Sequence, residues 1–133
     1  MPNEPLFKRV IRLISSASMV AVGVLHFAAP DGFVKIVPAF LPAPLFLVYL
    51  SGFFEIVGGL GLLVDRLRRA AGLGLVALYV AVFPANINMA VHAIQPAGAH
   101  IPTALLWLRL PFQLLFIGVA WWLSRPSQPA SPR

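Results

Sequence analysis

The chain contains no cysteine. That excludes a thiolate nucleophile, thiol–disulfide exchange and iron–sulfur ligation, so any redox role would need a bound cofactor. Charge is nearly as scarce. Only 11% of the 133 residues are charged, and the acids are Glu4, Asp31, Glu55 and Asp65, whereas a soluble domain carries about 25% charged residues. With 59% hydrophobic residues and a mean hydropathy of +0.87, the chain cannot cover itself with polar side chains, and lipid must do so. Motifs of dense chemistry are missing too: there is no HExxH, no phosphate loop, no dinucleotide fingerprint and no nucleophile beside a base. Nor does any period of roughly 20 to 50 residues repeat, so residues 1–133 are expected to form a single integral membrane domain.

What is present is four long apolar runs, at about 10–29, 45–64, 70–94 and 103–123. A helix rising 1.5 Å per residue crosses a hydrocarbon layer of about 30 Å in roughly 20 residues, and the alternating strands of a barrel are absent. The predicted fold is all-α, a four-helix transmembrane bundle. Residues 1–9 and the proline- and serine-rich tail 124–133 are expected to be disordered. The basic start and Ala28-Ala29 before Pro30 also fit a signal peptide. The run is long for one and three further spans follow, so a retained helix is expected. Pro30–Pro44 (PDGFVKIVPAFLPAP) is too apolar for a solvated loop. It reads as a short interfacial segment between helices 1 and 2, with Asp31 capping a helical turn and the segment acting as a lid; a plain packed connector is the other reading. Pro84 and Pro111 interrupt the last two runs, and a bend is expected at Pro84.

The net charge of +6 and pI near 11.3 do not point to nucleic acid, because the basic residues alternate between connections. Lys8, Arg9 and Arg12 precede the first run, Arg66, Arg68 and Arg69 lie between the second and third, and Arg125 and Arg133 follow the fourth. Of the basic residues, only Lys35 falls in the other two connections. This is the positive-inside pattern, with both termini cytoplasmic, and the partners it implies are membrane lipids.

One acid lies inside a run. Glu55 sits in LVYLSGFFEIVGGLGLLV among Ser51, Gly52, Gly58, Gly59 and Gly61, roughly 15 Å into its span. A carboxylate at the bilayer centre costs at least about 2.5 kcal/mol, so it should face protein and have a partner. Arg109 is the expected partner in a structural ion pair, with Gln113 one turn further along the same face. Counted from the outer ends of their spans, His26 and His92 fall near the outer interface, and Asn86, Asn88, Arg109 and Gln113 in the outer half. These residues and Glu55 are the candidate ligand-binding set, lining a pocket that opens outward. Asn88 and His92 share a face. Asn86 is about 200° from Asn88, so both can line one pocket only if Pro84 unwinds the helix. Two histidines leave haem or metal ligation as an alternative to interfacial hydrogen bonding, but they form no dense ligand motif and no metal site is assigned.

The phrases GVLHFAAPDGFVKIVPAFLPAP, LVYLSGFFEIVGGLGLL, the arginine loop followed by AGLGL, and VFPANINMA resemble the DoxX-like family of small bacterial membrane proteins, over about Ser18–Trp122. The resemblance implies a four-helix protein of the bacterial inner membrane, with His26, Glu55, Pro84, Asn86 and Asn88 in its recurrent polar pattern. It also implies an association with quinone-linked oxidation or with membrane assembly factors. Two functions therefore stay open. The first is a non-enzymatic binder of a lipid- or quinone-like molecule, or an accessory partner of another membrane protein. The second is a subunit of a quinone-linked oxidoreductase complex, with His26, Glu55 and Arg109 at the quinone. The glycine spacing at 52–61 suits internal packing or a homo-oligomer equally.

Overall fold

A computed structural model describes residues 4–95 and 100–127. Its helices are α1 (Leu6–Ala28), α2 (Asp31–Val34), α3 (Pro44–Gly61), α4 (Arg68–Val91) and α5 (Thr103–Ser124), with no strand among the described residues. All except α2 are long and apolar enough to cross a membrane. The protein is an all-helical, multi-pass membrane protein. Its outer faces carry side chains such as Phe46, Phe54, Leu114 and Leu115 that only lipid can solvate.

Small residues decide which helices meet. A Cβ built on Gly52 would lie 2.6 Å from the His26 Cβ and 2.9 Å from the Gly23 carbonyl oxygen, and one on Gly23 would lie 2.8 Å from the Gly52 carbonyl oxygen. α1 and α3 therefore cross with their backbones nearly touching, as small residues allow in lipid. About two turns further along both helices, Ser16 donates from Oγ to the Gly59 carbonyl at 2.7 Å. At the opposite helix pair Gly72 of α4 receives Ser124 of α5. The two pairs, α1–α3 and α4–α5, join through α3 and α4, with Leu62, Leu75, Ala120 and Leu123 filling the core at one end and Met89, Ala90 and Leu106 at the other.

This pairing sets the heights of the helices. His26, two residues from the end of α1, packs on Gly52, which lies eight residues into α3. The top of α1 is thus about 9 Å below the start of α3. Residues 29–43 ride in the space above it. α2 forms there as expected, but Asp31 is its first residue and its side chain caps nothing. Pro84 lies inside α4 and Pro111 inside α5 without ending either helix. α4 stops in a Schellman turn, with Ile94 N–H to Met89, Ala93 N–H to Ala90, and Ala93 at φ 47°.

The amino-terminal lead differs from expectation. Residues 1–3 lie outside the described residues, but Glu4 is ordered, with its side chain only 2% exposed. Its carboxylate pairs with Arg12 and lies 3.7 Å from Arg68, which also pairs with Asp65. Lys8 donates to the Arg125 carbonyl at 2.7 Å, joining α1 to the end of α5. Of the tail expected to be disordered, Ser124 closes α5, residues 125–127 are described, and 128–133 lie outside the described residues, as do residues 96–99 of the α4–α5 turn. Glu4→Gln should lower stability by about 2 kcal/mol, less than for a fully buried pair because the cluster sits at the end of the bundle. Thermal unfolding in detergent measures it.

Candidate functional site

The site is built where the close crossing of α1 and α3 brings two polar side chains together. His26 and Glu55 are 7% and 8% exposed, and His26 Nδ1 lies 3.0 Å from Glu55 Oε2. The same Nδ1 is 2.8 Å from the Val22 carbonyl one turn back. A carbonyl can only accept, so Nδ1 carries the hydrogen. That hydrogen is directed at Val22, which leaves Glu55 Oε2 beside the ring but without a hydrogen bond. Ser51 Oγ, one turn before Glu55 on α3, is likewise buried without a partner. The Phe33 ring of α2 covers His26, stacked at 3.8 Å between centroids. Two buried oxygens without hydrogen bonds thus lie one turn apart on α3, one of them beside an imidazole covered by an aromatic ring.

The expected pairing of Glu55 with Arg109 is not made. Arg109 is exposed and points its guanidinium at the Met89 sulfur, 3.2 Å away. The reason is topological: α3 packs on α1 and α4, whereas α5, which carries Arg109, packs on α4. Glu55 and Arg109 therefore belong to different helix contacts.

The rest of the predicted set is divided as well. Asn86 donates to Gln113 Oε1, and Gln113, itself buried, donates to the Tyr79 carbonyl at 2.8 Å, so these two residues tie α4 to α5. Asn88, on the opposite side of an unbroken α4, donates to the Ile36 carbonyl at 2.9 Å and fastens the lid segment. His92 is exposed, with Nδ1 3.2 Å from the Asn88 carbonyl. Asn88 and His92 line a shallow groove of about 290 Å³ between the lid (Pro38, Phe40) and α4 (Pro84, Ile87, Val91). The single outward pocket expected to hold all seven residues is instead a buried pair, a helix tie and a groove under the lid's edge.

His26 and His92 have separate surroundings. Counting from the end of its run puts His26 near the outer interface, but it sits at the level of Gly52 because α1 stops short. No group of three or more metal-ligating side chains occurs among the described residues. Sequence reasoning missed the role of Phe33 and the shortfall of Ser51, although Ser51 lies one turn from Glu55 and that spacing was visible. Asn88→Ala should free the lid at a cost of about 1 kcal/mol. The check is faster amide exchange over residues 33–41 with the exchange of α3 unchanged.

The fold and the buried pair define a class: a four-span membrane bundle with a polar site between two of its helices. The chain belongs to the family described as Domain of unknown function (DUF8561), whose model matches residues 16–124. A stretch of 46 residues is 44% identical to envelope glycoprotein K of Human herpesvirus 2 (strain HG52), and covers 34% of this chain and 14% of that protein. No solved structure matches the chain. These findings overturn the DoxX resemblance, because the model that matches most of the chain is a different one and the curated match is a viral envelope protein. The phrases that suggested DoxX are mostly small and apolar residues with prolines and a few polar positions, a composition that unrelated membrane proteins share. With the resemblance goes the basis for assigning a bacterial inner membrane, and neither comparison returns a subunit of a redox complex.

Proposed function

We propose that this protein is a non-enzymatic, membrane-embedded binder of an apolar molecule whose polar head carries a hydrogen-bond donor. The observation that carries this reading is two buried oxygens without hydrogen bonds one turn apart on α3, Ser51 Oγ and Glu55 Oε2, the latter 3.0 Å from His26 Nδ1. A buried polar atom left unsatisfied costs roughly 1–3 kcal/mol, and nothing in a hydrocarbon layer relieves that cost except a ligand or trapped water. An ionised Glu55 only accepts and the Ser51 hydroxyl can accept or donate, so a head that donates can serve both. A lipid hydroxyl or a quinol meets that requirement better than a quinone, whose carbonyls cannot donate. Entry would follow movement of residues 29–43, which place Phe33 over His26 and are tied to α4 by the Asn88 side-chain bond and the packing of Ile36. We further infer from the alternating basic connections that the end bearing Lys8, Arg68 and Arg125 faces the cytoplasm.

The test is lipid analysis by mass spectrometry of protein purified in mild detergent. Wild type should retain a hydroxylated amphiphile, or bind one when offered a quinol or a diacylglycerol. Glu55→Ala combined with Ser51→Ala should retain at least about tenfold less, the equivalent of roughly 1.4 kcal/mol. Wild type that carries none and binds none would refute the proposal.

A further inference from the structure

The opposite end of the bundle holds a second feature, independent of the first. Between α4 and α5 lies a cavity of about 420 Å³, lined by Arg69, Leu73, Trp121, Ser124, Arg125 and Pro126. We propose that it binds the phosphate of an anionic phospholipid, with Arg69 and Arg125 on the headgroup and Leu73, Trp121 and Pro126 against the first acyl carbons.

Charge makes the case for an anion. Seven of the ten basic residues lie at this end, against Glu4 and Asp65. Both acids are engaged elsewhere, Glu4 with Arg12 and Asp65 with Arg68, so among the described residues no carboxylate pairs with Arg69 or Arg125. Arg125 is also held in place. Its carbonyl accepts from Lys8 at 2.7 Å, and its guanidinium lies 5.0 Å from the centroid of the Trp121 ring. A planar guanidinium fixed against an aromatic face keeps its donors available for phosphate oxygens. The backbones can form this cavity because Gly72 lets Ser124 approach α4.

The walls decide between a lipid and a free ion. Trp121 and Leu73 are exposed beside the arginines, at the end of two helices long enough to span. A free phosphate gains nothing from those surfaces, whereas an acyl chain does. Basic pockets between spanning helices hold anionic headgroups by this combination, at about 1 kcal/mol per cation.

The experiment reconstitutes the full chain in nanodiscs of mixed phosphatidylglycerol and phosphatidylcholine and measures, by native mass spectrometry, which lipid stays bound. Wild type should enrich phosphatidylglycerol. Arg69→Gln and Arg125→Gln should each reduce that enrichment about fivefold. Both side chains are exposed, so folding should tolerate either change, and a matched melting temperature verifies it. Leu73→Asn, which alters no charge, should also reduce retention. Arg66→Gln removes an equal charge at the same end but away from the cavity, and should leave enrichment intact. The proposal fails if both arginine variants keep the enrichment, or if Arg66→Gln loses as much as they do, which would mean a diffuse surface potential. It also fails if inorganic phosphate displaces the lipid, which would make the site one for a free ion.

Discussion

Gly52→Val is expected to abolish the native bundle or leave it at least about 3 kcal/mol less stable, beyond the usual range for overpacking. The added carbons have nowhere to go. The first of them would sit 2.6 Å from the His26 Cβ and 2.9 Å from the Gly23 carbonyl oxygen, and neither is the movable tip of a long side chain. α1 must separate from α3, and with that separation the His26–Glu55 pair opens and Phe33 loses its seat. A control is built into the same chain. A Cβ at Gly74 or Gly118 meets nothing within 4 Å, so alanine there should be neutral or slightly stabilising, since glycine is about 1 kcal/mol the poorer helix former. Thermal unfolding of the three variants in one detergent gives the comparison. A Gly52→Val protein that melts with wild type would show that α1 and α3 do not meet at these glycines.

The second large effect separates stability from binding. Glu55→Met should hold or raise stability, by up to about 2 kcal/mol, because it removes a buried oxygen that has no hydrogen bond. His26 tolerates the change, since its ring still donates to Val22. His26→Leu should do the reverse and cost roughly 2–3 kcal/mol, because it strands the carboxyl in a site 8% exposed. Glu55→Met should nevertheless lose the amphiphile that wild type is expected to retain. A group that lowers stability and is required for binding has the energetics of a site rather than of a support. If Glu55→Met were both unstable and fully competent to bind, Glu55 would be structural.

Much of the fold could be read directly. Four apolar runs with basic residues in alternate connections leave few alternatives for backbone groups in lipid. Glu55 could be singled out because it is the one acid in an apolar run. Its partner could not, for a physical reason. Depth counted from the ends of each run holds only if all four helices begin at one height. α1 instead ends about 9 Å below the start of α3, so His26 sits at the level of Gly52 and within reach of Glu55. Helix order in the bundle, which keeps Arg109 on the α4 side, is not written in hydropathy either. Asn86 and Asn88 were the opposite case. Their 200° separation already required two destinations on a straight helix, and Gln113 and Ile36 are those destinations. The charge cluster at the amino terminus went unread because a lead with two prolines and a few polar residues looks like a disordered tail. Only the fold shows that Glu4 returns to Arg12 and Arg68.

The account stands on Glu55 having its neighbour on α1 rather than on α5. Two double-mutant cycles on unfolding in detergent address this directly, one pairing His26→Leu with Glu55→Met and the other pairing Glu55→Met with Arg109→Leu. A coupling of about 1–3 kcal/mol is predicted in the first cycle and none beyond about 0.5 kcal/mol in the second. Strong coupling between positions 55 and 109, with additive behaviour at 26 and 55, would contradict it.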